Sequence, residues 1–281
     1  MRANHNKHRV NAPVEQIIGA SASPLRGTVF LLLFVALALL VWEYASVQEF
    51  ISEFNSRPSE VAKNLWVIIL DRSYDNAFQK HMWASMKRVA TGLVVGSMIG
   101  FPLGSFLALY PNLRFCAVVL VPLATSFSRI AMLFLIVLWF GIGHEIKYIA
   151  CILVTFQTQL FVSFQSSYVL LLGKDGQSYD WMGRAAIIGM TRWQLYWKVL
   201  FPMLLPRFFF GLLAASISCW GLLPLVEAIN RSFGIGAVVS LANDNAILKE
   251  VVSGAILLAL GSLCYWMIIW LIQRRVLRWN R

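Results

Sequence analysis

Six apolar runs decide what this chain can fold into: Thr28–Val47, Ala84–Leu109, Phe115–Phe140, Tyr148–Leu172, Met203–Val226 and Val251–Ile272. At about 1.5 Å of rise per residue, each can cross an apolar slab of about 30 Å. In lipid the backbone must satisfy its own hydrogen bonds, so helices are the expected form. Charged side chains make up only 13% of the chain, against about 25% in soluble globular proteins. The expected fold is all-α: a polytopic membrane protein with about six transmembrane helices.

Residues 1–27 read as a polar, basic N-terminal tail, residues 28–275 as the membrane domain and residues 276–281 as a C-terminal tail. No secretory signal is expected, because no small-x-small cleavage site follows the first apolar run. A short amphipathic helix is expected over Pro58–Leu70. Glu227–Glu250 reads as a polar loop with a turn at Gly234-Ile235-Gly236. Cys116, Cys151, Cys219 and Cys264 each sit alone in an apolar run, as small buried residues rather than metal ligands or a disulfide framework. Gly92, Gly96, Gly100 and Gly104 recur every fourth residue, a stripe along which another helix can approach closely.

The basic residues orient the spans. With the N-terminus inside, 14 Lys/Arg fall in inner segments and 9, Lys87, Arg88 and Lys147 among them, in outer ones. Three acidic residues lie inside, so the inner side carries the whole net charge of +11. Topology thus accounts for a basicity that would otherwise suggest nucleic acid. Both termini, and the segment between the fourth and fifth runs, fall on the cytoplasmic side.

That segment, Ser178–Pro206, reads as two short helices with a break. Ser178 can cap the first, and Gly189 can end it in the left-handed conformation. Thr191 with Gln194 forms a capping box for the second. Trp193, Tyr196, Trp197 and Leu200 fall at i, i+3, i+4, i+7, giving one aromatic face. Pro202 and Pro206 are expected to separate this helix from the fifth run. Such a pair could be a rigid lever, or an interfacial pair lying on the membrane.

The pattern G-R-A-A-I-I-G followed by V-L-F-P resembles the coupling loop of ABC-importer permeases, E-A-A-x-x-x-G then I-x-L-P. Gly183 stands where the family has Glu, Arg184 on its first alanine and Phe201 on its leucine. Elsewhere the chain is similar to the nitrate/taurine/alkanesulfonate branch: R-P-S-E-V at 57–61, S-M-K-R-V-A-T-G at 85–92, G-F-P-L-G at 100–104, L-W-F-G-I-G at 138–143, L-V-E-A-I with F-G-I-G-A-V-V at 225–239, and R-R-V-L-R-W at 274–279. The resemblance implies a type I importer permease (MetI-like) in a bacterial inner membrane. It implies a second permease subunit, cytoplasmic ABC ATPase subunits and an extracytoplasmic solute-binding protein. It places ATPase coupling in the loop 174–202, on Tyr179, Asp180, Gly183, Arg184, Ala185, Ala186, Gly189 and Pro202, with Asp180 a candidate for the missing acidic charge.

The chemistry of the residues is compatible. No G-x-x-x-x-G-K-[ST] loop occurs in the sequence, so ATP and Mg are expected on a partner ATPase and no cofactor on this chain. No paired carboxylate or Ser/His/Asp set points to an enzyme. Arg129 stands in S-F-S-R-I-A, where the family has P-I-P-P-L-A, near the middle of the third run. A charge there costs about 2.5–3.5 kcal/mol on insertion scales. It either contacts an anionic solute, or pairs with Glu43 or Glu227, or snorkels. Glu227 could gate the outer mouth or sit at the interface. The rival to an importer permease is an ATP-independent secondary transporter or a membrane scaffold, but the spans hold few ionisable residues and no internal repeat.

Overall fold

The computed structural model describes residues 24–47, 57–70, 77–172 and 187–277. Among them there is no strand. The helices are α1 (Pro24–Val47), α2 (Pro58–Leu70), α3 (Ala77–Leu109), α4 (Pro111–Ser126), α5 (Arg129–Phe140), α6 (Glu145–Leu172), α7 (Arg192–Ile229), α8 (Ile235–Asp244) and α9 (Leu248–Val276). Two units divide the chain, residues 1–60 and residues 61–281. In the first, the Glu43 carboxylate accepts from the Ser59 backbone N–H and hydroxyl at 3.4 and 3.2 Å.

In the second unit, α3, α6, α7 and α9 are long and apolar enough to cross a membrane. The bent pair α4–α5 brings the count among the described residues to five, against about six expected. The third apolar run is not one straight span. It turns by 87° between α4 and α5. Phe127 and Ser128 are extended there, with ψ of 130° and 126°. Thr125 and Ser126 donate their hydroxyls back to Pro122 O, at 2.8 Å each, so α4 ends on its own side chains. Serine and threonine hydroxyls commonly compete with the helix in this way.

The prolines behave differently from expectation. α7 runs 38 residues from Arg192 to Ile229, through Pro202, Pro206, Gly221 and Pro224. Proline lacks the N–H that a preceding carbonyl needs. The chain adapts with one π-helical turn, Tyr196–Leu200, in which the Phe201 N–H reaches Tyr196 O, five residues back. The wider turn also splits the expected aromatic face. Tyr196 and Leu200 are buried, whereas Trp193 and Trp197 are exposed.

The loop expected over Glu227–Glu250 contains α8. Its Ile235, Ala237 and Ala242 are buried, and it packs against α7 and α9.

The most extensive helix pair is α3 with α6. Cβ atoms built on Gly92, Gly96, Gly100 and Gly104 would fall 2.4–2.6 Å from atoms of Cys151, Ile152, Phe156 and Leu160. Opposite the glycines, α6 presents Thr155, Gln159 and Ser163, and one turn on Ser167, all fully buried. Ser163 Oγ donates to Phe101 O at 2.6 Å. Gln159 Nε2 reaches both Ser97 Oγ on α3 and Phe208 O on α7, at 3.3 Å each. One side chain thereby ties three helices.

Candidate functional site

A polar cluster is buried where the ends of α3, α6 and α7 meet α8. Glu227 Oε1 accepts from Arg88 Nη1 at 2.6 Å and from Ser85 Oγ at 2.8 Å. Glu227 Oε2 accepts from the Gly236 N–H at 2.9 Å. Glu227 is 0% exposed and Arg88 4%. The Glu227 carboxylate is thus held by three donors, while Arg88 Nε is buried without a partner. Glu227 is therefore neither an interface residue nor a partner of Arg129.

The chain between α7 and α8 closes over the carboxylate. Gly234 has φ +144°, and a Cβ on it would fall 2.2 Å from the Glu227 carboxyl carbon. The Gly234 N–H donates to His81 Nδ1 at 2.8 Å, and the Ile235 N–H to Ser85 Oγ at 3.1 Å. Lys147, fully buried, donates Nζ to Ser232 Oγ and to Phe233 O, the latter at 3.1 Å. Arg88 and Lys147 are thus core groups, not loop charges, and the outer count of basic residues falls to seven. This fastening of the α7–α8 turn was not read from the sequence. Its signal was present: opposite charges inside apolar runs, in S-M-K-R-V and L-V-E-A-I.

At the other end, α7 begins in an elbow. Gly189 has φ +72°. Thr191 and Gln194 make the reciprocal capping box at 3.3 and 3.1 Å. Ile187 and Ile188 project at 87% and 74% exposure. The elbow is fixed to the nearby end of α3. The Tyr196 hydroxyl shares a hydrogen bond with Ser105 Oγ at 3.0 Å, and the Arg192 guanidinium lies 5.2 Å from the Tyr110 ring centroid. Of the expected coupling residues, Gly189 and Pro202 are placed here. Tyr179, Asp180, Gly183, Arg184, Ala185 and Ala186 lie outside the described residues.

Arg129 is the first residue of α5, exposed at the bend. Below it, Leu133 and Ile136 anchor α5 to the core shared by α6 and α7. Among the described residues no cluster of His, Cys, Asp and Glu could hold a metal ion.

Comparison with known proteins gives concordant matches. Residues 96–278 match the family described as binding-protein-dependent transport system inner membrane component. The chain is similar to the taurine transport system permease protein TauC of Escherichia coli (strain K12), 26% identical over 88% of each chain. A probable ABC transporter permease protein of Haemophilus influenzae is 23% identical over 86% of this chain and 95% of its own. The putative aliphatic sulfonates transport permease protein SsuC of Bacillus subtilis (strain 168) is 22% identical over 71% of this chain and 70% of its own.

Proposed function

The chain belongs to the family of binding-protein-dependent transport inner-membrane components, and from that premise we propose that it forms half of the pore of an importer for a small organic anion. It is a multi-pass membrane permease of the ATP-binding-cassette type. Cytoplasmic ATPase subunits would grip the elbow, a second permease subunit would complete the pore, and an extracytoplasmic binding protein would deliver the solute. Both termini would face the cytoplasm.

The continuity of α7 is the observation that carries this reading. One helix, Arg192–Ile229, of about 57 Å at 1.5 Å per residue, starts just after the exposed Ile187–Gly189 turn and carries Glu227 in its last turn. Its π turn and prolines are the places where such a helix bends, yet the run is unbroken from Arg192 to Ile229. A push delivered at the elbow therefore reaches the turn that Glu227, His81 and Lys147 hold. Alternating access needs such a link between the motor side and the opposite mouth.

Docking would involve Tyr179, Asp180, Gly183, Arg184, Ala185, Ala186 and the turn at Gly189. Arg129, exposed at the bend between α4 and α5, would meet the anion on its way through. The taurine and sulfonate permeases among the relatives support an organic anion as solute. The test is co-purification: the tagged chain should bring down a nucleotide-hydrolysing subunit, and a preparation free of one sinks the proposal.

A further inference from the structure

α6 and α7 enclose a half-open cavity of about 460 Å³ near the elbow end of the bundle. That size falls within the usual range of small-molecule sites. One edge is polar, with Arg207, Gln165 and Ser166. The opposite wall is apolar, with Val169, Leu170 and Met203.

Two further facts bear on Arg207. It makes no ion pair or hydrogen bond among the described residues, although it stands in one of the most apolar helices of the chain. Its depth follows from α7 itself. Arg207 precedes Glu227 by 20 residues, or about 30 Å along the axis, one hydrocarbon thickness. With the buried Glu227 cluster towards the outer side, Arg207 lies that distance nearer the inner side. Arg207 is exposed at the edge of the cavity, and the amide of Gln165 and the hydroxyl of Ser166 beside it let that edge hold water.

We propose that this cavity is an inner-mouth subsite for an organic anion with a short alkyl tail, its head group on Arg207 and its tail along Val169, Leu170 and Met203. The orientation used here rests on the importer reading above. A bare inorganic anion would satisfy Arg207 and leave the apolar wall wet. Two sources share the required chemistry: the free transported solute, and the head group of an anionic lipid. We assign the site to the solute.

Thiol labelling separates the cases. Cys116 and Cys264 are exposed, against expectation, and are removed as Cys116→Ser and Cys264→Ser, while Cys151 and Cys219 are buried. Met203→Cys then reports on the cavity in the full chain, purified with its bound partners into phosphatidylcholine vesicles. An anionic methanethiosulfonate should react faster than a cationic one by on the order of tenfold, the Coulomb bias of one charge about 6 Å away in a watery site. Arg207→Gln should abolish the preference. Butanesulfonate should slow labelling beside Arg207 and have no effect beside Gln. Val169→Cys should behave as Met203→Cys does.

Equal rates with the two reagents, or no reaction at both positions, overturn the proposal. Labelling that is slowed by added phosphatidylglycerol and unaffected by butanesulfonate assigns the cavity to lipid and also overturns it. Failure of the importer reading shows separately, as the absence of a bound ATPase. The charge preference at residue 203 is read without hydrolysis or uptake.

Discussion

Arg88 Nη1 and Glu227 Oε1 meet at 2.6 Å across 139 residues of chain, and neither side chain is more than marginally accessible. The pair joins α3 to the far end of α7 and, through the Gly236 N–H on the other carboxylate oxygen, to α8.

Breaking one half of this pair should be far worse than removing both. Arg88→Met leaves a buried carboxylate without its cation, at a cost of about 3–5 kcal/mol. Adding Glu227→Gln to Arg88→Met keeps an acceptor for the Gly236 N–H, offers its amide NH2 to the Ser85 hydroxyl and should recover much of the loss. Thermal unfolding of the purified permease checks this. A double variant no more stable than Arg88→Met would contradict the pairing.

The glycine stripe gives a graded test. A methyl group at Gly104 would lie 2.4 Å from Leu160 O, whereas one at Gly221 meets nothing within 4 Å. Gly104→Ala should therefore destabilise by about 1–3 kcal/mol through overpacking. Gly221→Ala should be neutral or gain up to about 1 kcal/mol of helix propensity. Equal effects in an unfolding assay would mean that α3 and α6 do not touch along this face.

At the elbow, Gly189→Val places a β-branched residue at φ +72°. That strain amounts to about 1–2 kcal/mol. We expect the variant to assemble and still hydrolyse ATP, while solute taken up per ATP falls by on the order of tenfold. Simultaneous measurement of uptake and hydrolysis in vesicles reads this directly. An unchanged ratio would remove the elbow from the coupling path.

Arg129→Gln tests the bend. Arg129 is exposed, and Glu227 is already occupied by Arg88. The variant should insert and fold normally yet take up an alkanesulfonate more slowly. Full uptake by a normally inserted variant would exclude contact with the solute.

The sequence made the helices plain, and the reasons for its errors are specific. Periodicity and capping chemistry are local, so the glycine stripe, the Thr191–Gln194 box and the left-handed turn at Gly189 are legible. Arg88 and Lys147 were counted as loop charges because their partners, Glu227, Ser232 and Phe233, lie 85 residues or more away. The third run looked continuous because hydropathy does not register Phe127 and Ser128 leaving helical geometry. Pro202 was expected to stop a helix that a single π turn carries through. α8 is hidden from a sequence reading because it is short and its apolar residues follow a glycine-rich turn.

The column Thr155, Gln159, Ser163 and Ser167 has a bearing on biogenesis. Inserted alone, α6 would offer this whole column, buried in the folded bundle, to hydrocarbon. Its glycine-faced counterpart, α3, lies earlier in the polypeptide and is already in the bilayer when α6 leaves the ribosome. Vectorial synthesis thus presents the receiving groove before the helix that needs it, and a permutation that reversed their order would strand α6 without shelter.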